Sequence, residues 1–387
     1  MKSIILPYRK STGILRASEL WTWTARIIPS KPVKEVSAEP SEQPKKTAGL
    51  GNEPYSKMLQ GKATNVIAHT SKKGFLINPI NQIASTEYNG ITIFLRNYSN
   101  IVLNVPTKKV LDILTIKLTS NFPYGENVTT GSIDNHRNVE ITLDEYMRAC
   151  NLKNKKEAKK QLNESIQSLF DVAIEWDEEK WTIPKGKKKR IKQTIHWKAR
   201  ILDTIGNEIE KSPIQNGKAT VKFTFDIAKY LSQSFVMEYP VKLLKVNGKR
   251  NPHSYFLGRK IALHHNMNIG KENQNRISVV ALIHACPDLP SYDDVKVEGK
   301  HITQQIIQPF ERDLIALKGK YGILKDWHYC NSKGEPLTDE QVENYSYSTW
   351  KDWLVEFELA DYPDQSDRIA KIEERKKKAY KRKVQAR

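Results

Sequence analysis

The chain has 387 residues, a formal net charge of +19 at pH 7 and 39% hydrophobic residues, with eight Trp among them. Its length leaves room for two domains with their own cores, and its composition excludes a largely disordered protein. The three cysteines are far apart, which excludes a disulfide framework and a cysteine-based zinc site and indicates a reducing cytosol. The sequence holds no apolar run of about 18 residues, so no membrane-spanning helix is expected.

Most of the excess positive charge lies in three short stretches. Residues 153–160 hold five Lys and one Glu, residues 185–192 hold six basic residues and no acid, and residues 368–387 hold ten basic residues and two Glu. Their net charges are therefore +4, +6 and +8, which is nearly the whole excess. Charge that is focused on a few surfaces is typical of proteins that bind polyanions. Nucleic acid is the first ligand to consider.

The first 75 residues are expected to form a poorly ordered leader, because prolines interrupt a segment rich in Ser, Glu and Lys. The first folded unit is predicted at residues 90–233. It begins with apolar strand-like residues and continues with a helix at residues 107–119, whose apolar residues have helical spacing.

Two further helices and a hairpin are predicted in this unit from local signals. Thr142 and Glu145 form a capping-box pattern for a short helix, and Asn154 is the expected cap of a third helix that reaches Phe170. The apolar stripe of the third helix consists of Ala158, Leu162, Ile166 and Leu169. Stretches with alternating polarity follow and flank the basic residues 185–192, which predicts a β-hairpin with a long basic loop.

The second unit, predicted at residues 239–361, repeats this order of elements. Its helices are expected at residues 252–266, 278–286 and 302–317, and its strands at residues 323–329 and 350–359. Pro309 requires either a bend in the third helix or a separate helical segment that begins near it. The last segment, residues 362–387, is expected to form a basic helix or tail.

Three helices followed by a hairpin are the order of elements in a winged helix, whose third helix enters the DNA major groove while the hairpin contacts the backbone or minor groove. We therefore predict an α+β chain of two tandem winged-helix domains with β-hairpin wings, a disordered N-terminal leader and a basic C-terminal helix or tail. Lys neutralises phosphates, and Asn or Gln can contact base edges. The DNA-binding residues expected on this basis are Lys155, Lys156, Lys159, Lys160, Asn163 and Gln167 on the third helix of the first unit, Lys187, Lys188, Lys189 and Arg190 in its wing loop, and Lys300, Thr303, Gln304, Gln305 and Gln308 in the second unit.

Plainer interpretations stay open at this point. The lysines of the third helix also fit a solvated surface without a ligand, and the basic loop fits a soluble loop with no partner. Catalysis has little support, because the sequence has no phosphate-binding loop of the type GxxxxGK followed by Ser or Thr. His264 and His265 are neighbours on a predicted helix and point about 100° apart, so they cannot hold one metal ion together. We expect no catalytic residue, no metal site and no cofactor.

Several segments resemble the replication initiator proteins of bacterial plasmids and integrative elements, the tandem winged-helix class. The resemblance is strongest at residues 142–146 (TLDEY), 156–162 (KEAKKQL), 174–177 (IEWD), 257–260 (LGRK), 275–278 (NRIS), 289–293 (LPSYD) and 305–311 (QIIQPFE). A proline is common in the recognition helix of this family, which fits Pro309. The resemblance covers about residues 91–361 and depends on the order of the segments more than on any one of them.

The resemblance implies binding of repeated duplex DNA sites at a replication origin, melting of that origin and recruitment of host replication proteins. It also implies a homodimer that represses its own promoter beside a monomer that is active at the origin. The expected location is the cytoplasm, on a plasmid or the nucleoid, without a membrane partner. Two alternatives remain: a winged-helix transcription repressor without a replication role, and a nicking rolling-circle initiator or relaxase.

Overall fold

The computed structural model describes Leu50 and residues 53–71, 75–81, 83–88, 90–96, 98–122, 130–182, 191–203 and 213–385. Every described residue belongs to one compact unit, Thr47–Arg387. Within the described residues, none of the helices combines the length and the apolar character that crossing a membrane requires.

The N-terminal half of the described chain forms the first winged-helix module. Its elements are β1 (Tyr55–Gln60), α1 (Lys62–Ala68), β2 (Leu76–Ile77), β3 (Ala84–Tyr88), β4 (Ile91–Leu95), α2 (Val105–Asn121), α3 (Thr130–His136), β5 (Asn138–Thr142), α4 (Leu143–Cys150), α5 (Lys155–Phe170), β6 (Val172–Thr182), β7 (Ile191–Arg200), β8 (Leu202–Asp203), β9 (Lys218–Phe223) and α6 (Phe225–Ser232). The predicted helices correspond to α2, α4 and α5, and the predicted hairpin corresponds to β6 and β7.

Two antiparallel sheets support this module. The larger sheet has the strand order β2-β3-β4-β6-β7, and the smaller has the order β5-β9-β8. β4 pairs only with residues 172–176 of β6, whereas β7 pairs with β6 as far as the Thr182–Ile191 rung. The outer half of the β6–β7 hairpin therefore extends beyond the rest of the sheet, as a wing does.

The second half repeats the winged-helix order with a smaller sheet. Its elements are β10 (Phe235–Pro240), a 3-10 helix (Val241–Lys245), α7 (Ser254–Met267), β11 (Arg276–Ser278), α8 (Val279–His284), α9 (Tyr292–Val297), a π-helical segment (Thr303–Ile307), α10 (Gln308–Lys318), β12 (Leu324–Cys330), α11 (Asp339–Glu343), α12 (Tyr347–Trp350), β13 (Leu354–Leu359) and α13 (Ser366–Gln385). The strands form a sheet in the order β11-β13-β12. α9, α11 and α12 lie in segments where the sequence predicted loops.

The prediction of a poorly ordered leader at residues 1–75 is wrong for the C-terminal part of this segment, which is folded. β1 pairs with β10 in antiparallel register, with Tyr55 opposite Pro240 and Gln60 opposite Phe235. Met58 and Ile67 are buried in the common core. The partner of β1 lies far away in sequence, so no local pattern marked this strand. The remainder of the expected leader, residues 1–49, lies outside the described residues.

Side-chain caps start the helices where the sequence predicts them. The Thr142 hydroxyl accepts a hydrogen bond from the Glu145 amide at 3.1 Å, and the Asn154 side-chain oxygen accepts one from the Glu157 amide at 3.0 Å. Such caps satisfy amide groups that the first helical turn leaves without partners. Because the caps act within three residues, the starts of α4 and α5 follow from sequence alone.

Pro309 lies in the first turn of α10 and follows a π-helical segment. The backbone at Gln308 is helical, with φ −59° and ψ −44°, so the chain passes from one segment to the other without a break. Proline has no amide hydrogen, and the first turn of a helix is where that loss costs least. This arrangement corresponds to the second of the two alternatives that the sequence left open.

The two modules share a buried polar interface between α2 and α7. The Asp112 carboxylate pairs with the Arg259 guanidinium at 3.1 Å, and each side chain is only 1% exposed. The Tyr255 hydroxyl donates to Asp112 at 2.5 Å, and Arg259 also donates to the Asn65 side-chain oxygen at 2.9 Å. Each charge therefore has an opposite charge or a hydrogen-bond partner, which a buried ion pair requires.

The predicted basic C-terminal segment is helical from Ser366 to Gln385. Tyr362, just before it, anchors the chain, because its hydroxyl donates to the Asn266 side-chain oxygen at 3.0 Å. The Tyr362 ring also contacts the rings of Tyr55 and His265 edge-on. This helix therefore begins at a point where both halves of the chain meet.

Candidate nucleic-acid interface

α5 is the third helix of the first module, and its apolar stripe is fully buried. Ala158, Leu162, Ile166 and Leu169 each have 0% exposure. This packing fixes which face of α5 points to solvent. The stripe is the one that the sequence predicts, so burial of one face places the lysines on the other.

The turn between α4 and α5 has a defined geometry. α4 ends at Asn151, which has a left-handed backbone with φ 54°, and α5 starts at its Asn154 cap. The Lys117 ammonium, on α2, pairs with the Glu145 carboxylate, on α4, at 2.8 Å, and both side chains are largely buried. The helices before α5 therefore hold it in a fixed position, as a recognition helix requires.

The solvent face of α5 is cationic. Lys155, Lys156, Lys159, Lys160 and Gln167 are all exposed. Lys160 lies 3.9 Å from the Glu164 carboxylate, a surface contact that contributes little. In the described part of the chain, the other three lysines have no ion pair. Three of the predicted lysines are thus brought together on one helix without an ion pair to another described residue.

Asn163 does not share this arrangement. It is half-buried, and its side-chain oxygen accepts a hydrogen bond from the Ile214 amide at 3.2 Å. Ile214 is itself buried, at 3% exposure. Through this hydrogen bond, Asn163 holds the turn before β9 against α5. The sequence could not predict this role, because the partner lies 51 residues away.

The shaft of the wing, which is the part formed by the paired strands β6 and β7, carries balanced charges. Lys198 pairs with Glu175 at 3.0 Å, His196 contacts Asp177 at 2.7 Å, and Lys192 pairs with Glu179 at 2.6 Å. Trp176 and Trp197 stack with ring centroids 5.7 Å apart and stiffen its base. The excess charge of the hairpin therefore belongs to its loop. The predicted loop residues Lys187, Lys188, Lys189 and Arg190 lie outside the described residues.

The predicted recognition helix of the second module presents Thr and Gln side chains instead of lysines. Thr303, Gln304, Gln305 and Gln308 are exposed on the π-helical segment and the start of α10. Their helix is held by Ile306, Phe310, Leu314 and Leu317, each fully buried. Lys300 precedes the helix, is exposed and pairs with Glu298 at 2.6 Å, so part of its charge is already neutralised.

Sequence reasoning missed two basic residues next to these surfaces. Arg312 lies one turn after Gln308 and is half-exposed, with one guanidinium nitrogen bonded to Asp313 at 2.9 Å. Arg148 is exposed in the last turn of α4, next to the turn that leads to α5. Helical spacing from the predicted glutamines would have identified Arg312. Arg148 gave no signal because it lies outside the charged stretches.

The described residues contain no group of three or more His, Cys, Asp or Glu side chains placed to hold a metal ion. His264 and His265 have separate partners: His264 contacts the Asn273 carbonyl oxygen at 2.9 Å, and His265 contacts the Asn275 side chain at 2.9 Å. Burial lowers the pKa of both rings, that of His265 to about 4. These histidines therefore pack as neutral rings with separate hydrogen-bond partners.

Residues 97–242 match the family model described as initiator replication protein, WH1. The match includes α5 and the β6–β7 wing. No curated protein matches the chain. Two crystal structures of domains 2 and 3 of RctB are similar. One, a selenomethionine derivative, has a TM-score of 0.36 and 10% identity and covers 76% of this chain and 98% of that chain. The other has a TM-score of 0.34 and 11% identity and covers 76% and 96%. From the family match we conclude that residues 97–242 form a domain of the type described as initiator replication protein, WH1.

Proposed function

We propose that this protein is a replication initiator that binds repeated duplex DNA sites at the origin of a bacterial plasmid or integrative element and recruits host replication proteins there. It acts in the cytoplasm, on the plasmid or nucleoid, as a binding protein without a catalytic step. The observation that carries the proposal is the exposed lysine face of α5 inside a matched WH1 domain.

In this proposal, Lys155, Lys156, Lys159 and Lys160 bind phosphates and bring α5 into the major groove. Four lysines against two glutamates give α5 a net charge of +2, concentrated in its first half. Phosphate contacts supply affinity without sequence information. Gln167 and the glutamines of the second module are the side chains proposed to contact base edges.

The shared interface supports the use of both modules on one duplex. A buried ion pair and the β1–β10 strand pair join them, so the two recognition helices are presented together. A single site that contacts both helices would combine the phosphate contacts of α5 with the amide contacts of α10. Asn163 is left out of the proposed interface because its side-chain oxygen is bonded to Ile214.

The direct test is fluorescence anisotropy with a labelled duplex that carries the repeats adjacent to the gene, titrated at several salt concentrations. The variant K159A/K160A should bind all sequences more weakly and flatten the log–log salt slope by about two, since each phosphate contact contributes about 0.9. The control K249A/K271A removes two exposed lysines that lie outside the recognition helices and wings. An unchanged slope in K159A/K160A would overturn the assignment of α5.

A plasmid that carries only this gene and its adjacent repeats distinguishes an initiator from a repressor. Replication of such a plasmid in a host without other initiators supports the proposal, whereas promoter repression without replication supports the transcription factor. Nicked, protein-linked product from supercoiled origin DNA with Mg²⁺ or Mn²⁺ would instead support a nicking enzyme. Sedimentation of the free and DNA-bound protein separates the proposed homodimer from the monomer.

A further inference from the structure

A concave site lies in the second module, away from the proposed DNA-binding surfaces. It has a volume of about 530 Å³ and is formed by the C-terminal half of α7, the residues around the start of α8 and the turn after β12. Lys260, His264, Arg276, Ser278 and Lys333 line it. Among the described residues that line this pocket, none comes from α5 or α10. The pocket is therefore separate from both proposed recognition helices.

Lys260 is the most informative side chain of the pocket. Its neighbour Arg259 points into the interface with α2, whereas Lys260 lines the pocket and is half-buried. Burial lowers the pKa of Lys260, and within the described chain no carboxylate pairs with it to offset that cost. A half-buried ammonium group without an anion is stabilised when an anion enters.

Arg276 on β11 and Lys333 in the turn after β12 add two further basic side chains. The Arg276 guanidinium pairs with Glu356 at 3.1 Å, which leaves most of its five N–H donors for other partners. Gly334, in a left-handed conformation with φ +83°, lies directly against this guanidinium, and a side chain at this position would collide with it. The positive φ favours glycine at this position, and Lys333 of the same turn also lines the pocket.

Neutral donors complete the wall. The Ser278 hydroxyl oxygen accepts from the Ala281 amide at 3.2 Å as the cap of α8, so its hydrogen can be donated to a ligand. His264 donates to the Asn273 carbonyl oxygen at 2.9 Å, which orients its ring in the wall. Glu272 is the one acidic residue among the described residues that line the pocket, against the basic side chains of Lys260, Arg276 and Lys333.

The geometry points to a pocket that binds a phosphate group, with Lys260 and Lys333 as charge partners and Arg276 and Ser278 as hydrogen-bond donors. Phosphate has several acceptor oxygens, which suit donors that converge from three different segments. The phosphate comes either from a free phosphate-bearing molecule or from the backbone of DNA. The proposal does not depend on origin binding by α5.

Isothermal titration of the full chain with inorganic pyrophosphate tests the pocket. We expect saturable binding by the wild type, binding about tenfold weaker or more for K260M, and unchanged binding for the matched control K249M. Lys249 is exposed and lies outside the pocket. A second variant, K333M, changes an exposed residue and should also weaken binding without affecting the fold, as checked by circular dichroism.

DNA titrations distinguish the two sources of phosphate. If pyrophosphate does not bind but K260M weakens DNA binding and flattens the salt slope by about one, the ligand is the DNA backbone. Pyrophosphate binding that K260M and K333M leave unchanged overturns the pocket, as does the absence of both effects. A protein that fails to bind origin DNA yet binds pyrophosphate through Lys260 refutes the proposed function and leaves the pocket intact.

Discussion

The buried ion pair between the modules allows a quantitative prediction. Replacing Asp112 with Leu leaves the Arg259 guanidinium buried, with only the neutral side chains of Asn65 and Gln60 as partners. Breaking a buried pair in this way costs about 3–5 kcal/mol, because the remaining charge has lost its counter-ion. Arg259→Met should cost a similar amount, since it leaves the Asp112 carboxylate with the Tyr255 hydroxyl and no cation.

The double variant D112L/R259M should be far less destabilised than the sum of the two single variants. Neither charge of this pair remains in it, and its remaining cost comes from polar partners such as Tyr255 that lose a hydrogen bond, about 1–3 kcal/mol each. We expect a coupling energy of about 3 kcal/mol between the two positions. Residues that share one buried network are expected to be non-additive in this way.

Urea unfolding followed by tryptophan fluorescence and by circular dichroism measures these free energies, provided that the two probes give the same transition. The reasoning is refuted if either single variant loses less than about 1 kcal/mol, or if the double variant loses the full sum. If the interface also presents both recognition helices to one site, each single variant should bind the origin duplex more weakly at a temperature where it remains folded.

Three further variants test other parts of the structure. Burial lowers the pKa of Lys108 to about 7, below its value in the unfolded chain. Between about pH 7 and 10 the unfolded chain therefore binds more protons than the folded one. The contribution of Lys108 to the free energy of unfolding rises with pH over that window. K108M should therefore be more stable than the wild type at pH 7, with a difference that shrinks by pH 9 in urea unfolding; a constant difference would contradict this. G61A should lose about 1–3 kcal/mol by thermal unfolding, because the added methyl group collides with the Tyr230 ring, and a neutral result would show that the ring moves aside. T142A should lose about 0.5–2 kcal/mol with the α4 cap, whereas T142S should retain most of it; equal losses would show that the hydroxyl is not the cap.

Much of the candidate interface follows from sequence. The apolar stripe of α5 and its Asn154 cap determine both the helix and its solvent face, so the exposure of Lys155, Lys156 and Lys159 could be predicted. These effects act within one or two helical turns, where sequence neighbours are also spatial neighbours. The neutral shaft of the wing was not predicted, since it depends on which residues face each other across β6 and β7.

The sequence by itself determined the helices α2, α4 and α5, the β6–β7 hairpin, the caps of α4 and α5 and the division of α5 into an apolar and a cationic face. Only the tertiary structure decided that β1 pairs with β10, that Asn163 holds Ile214, and that Asp112 and Arg259 are a buried pair instead of surface charges. The physical reason is distance along the chain. Asp112 and Arg259 are separated by 147 residues, and no local pattern distinguishes a charge that packing will bury from one that remains in water.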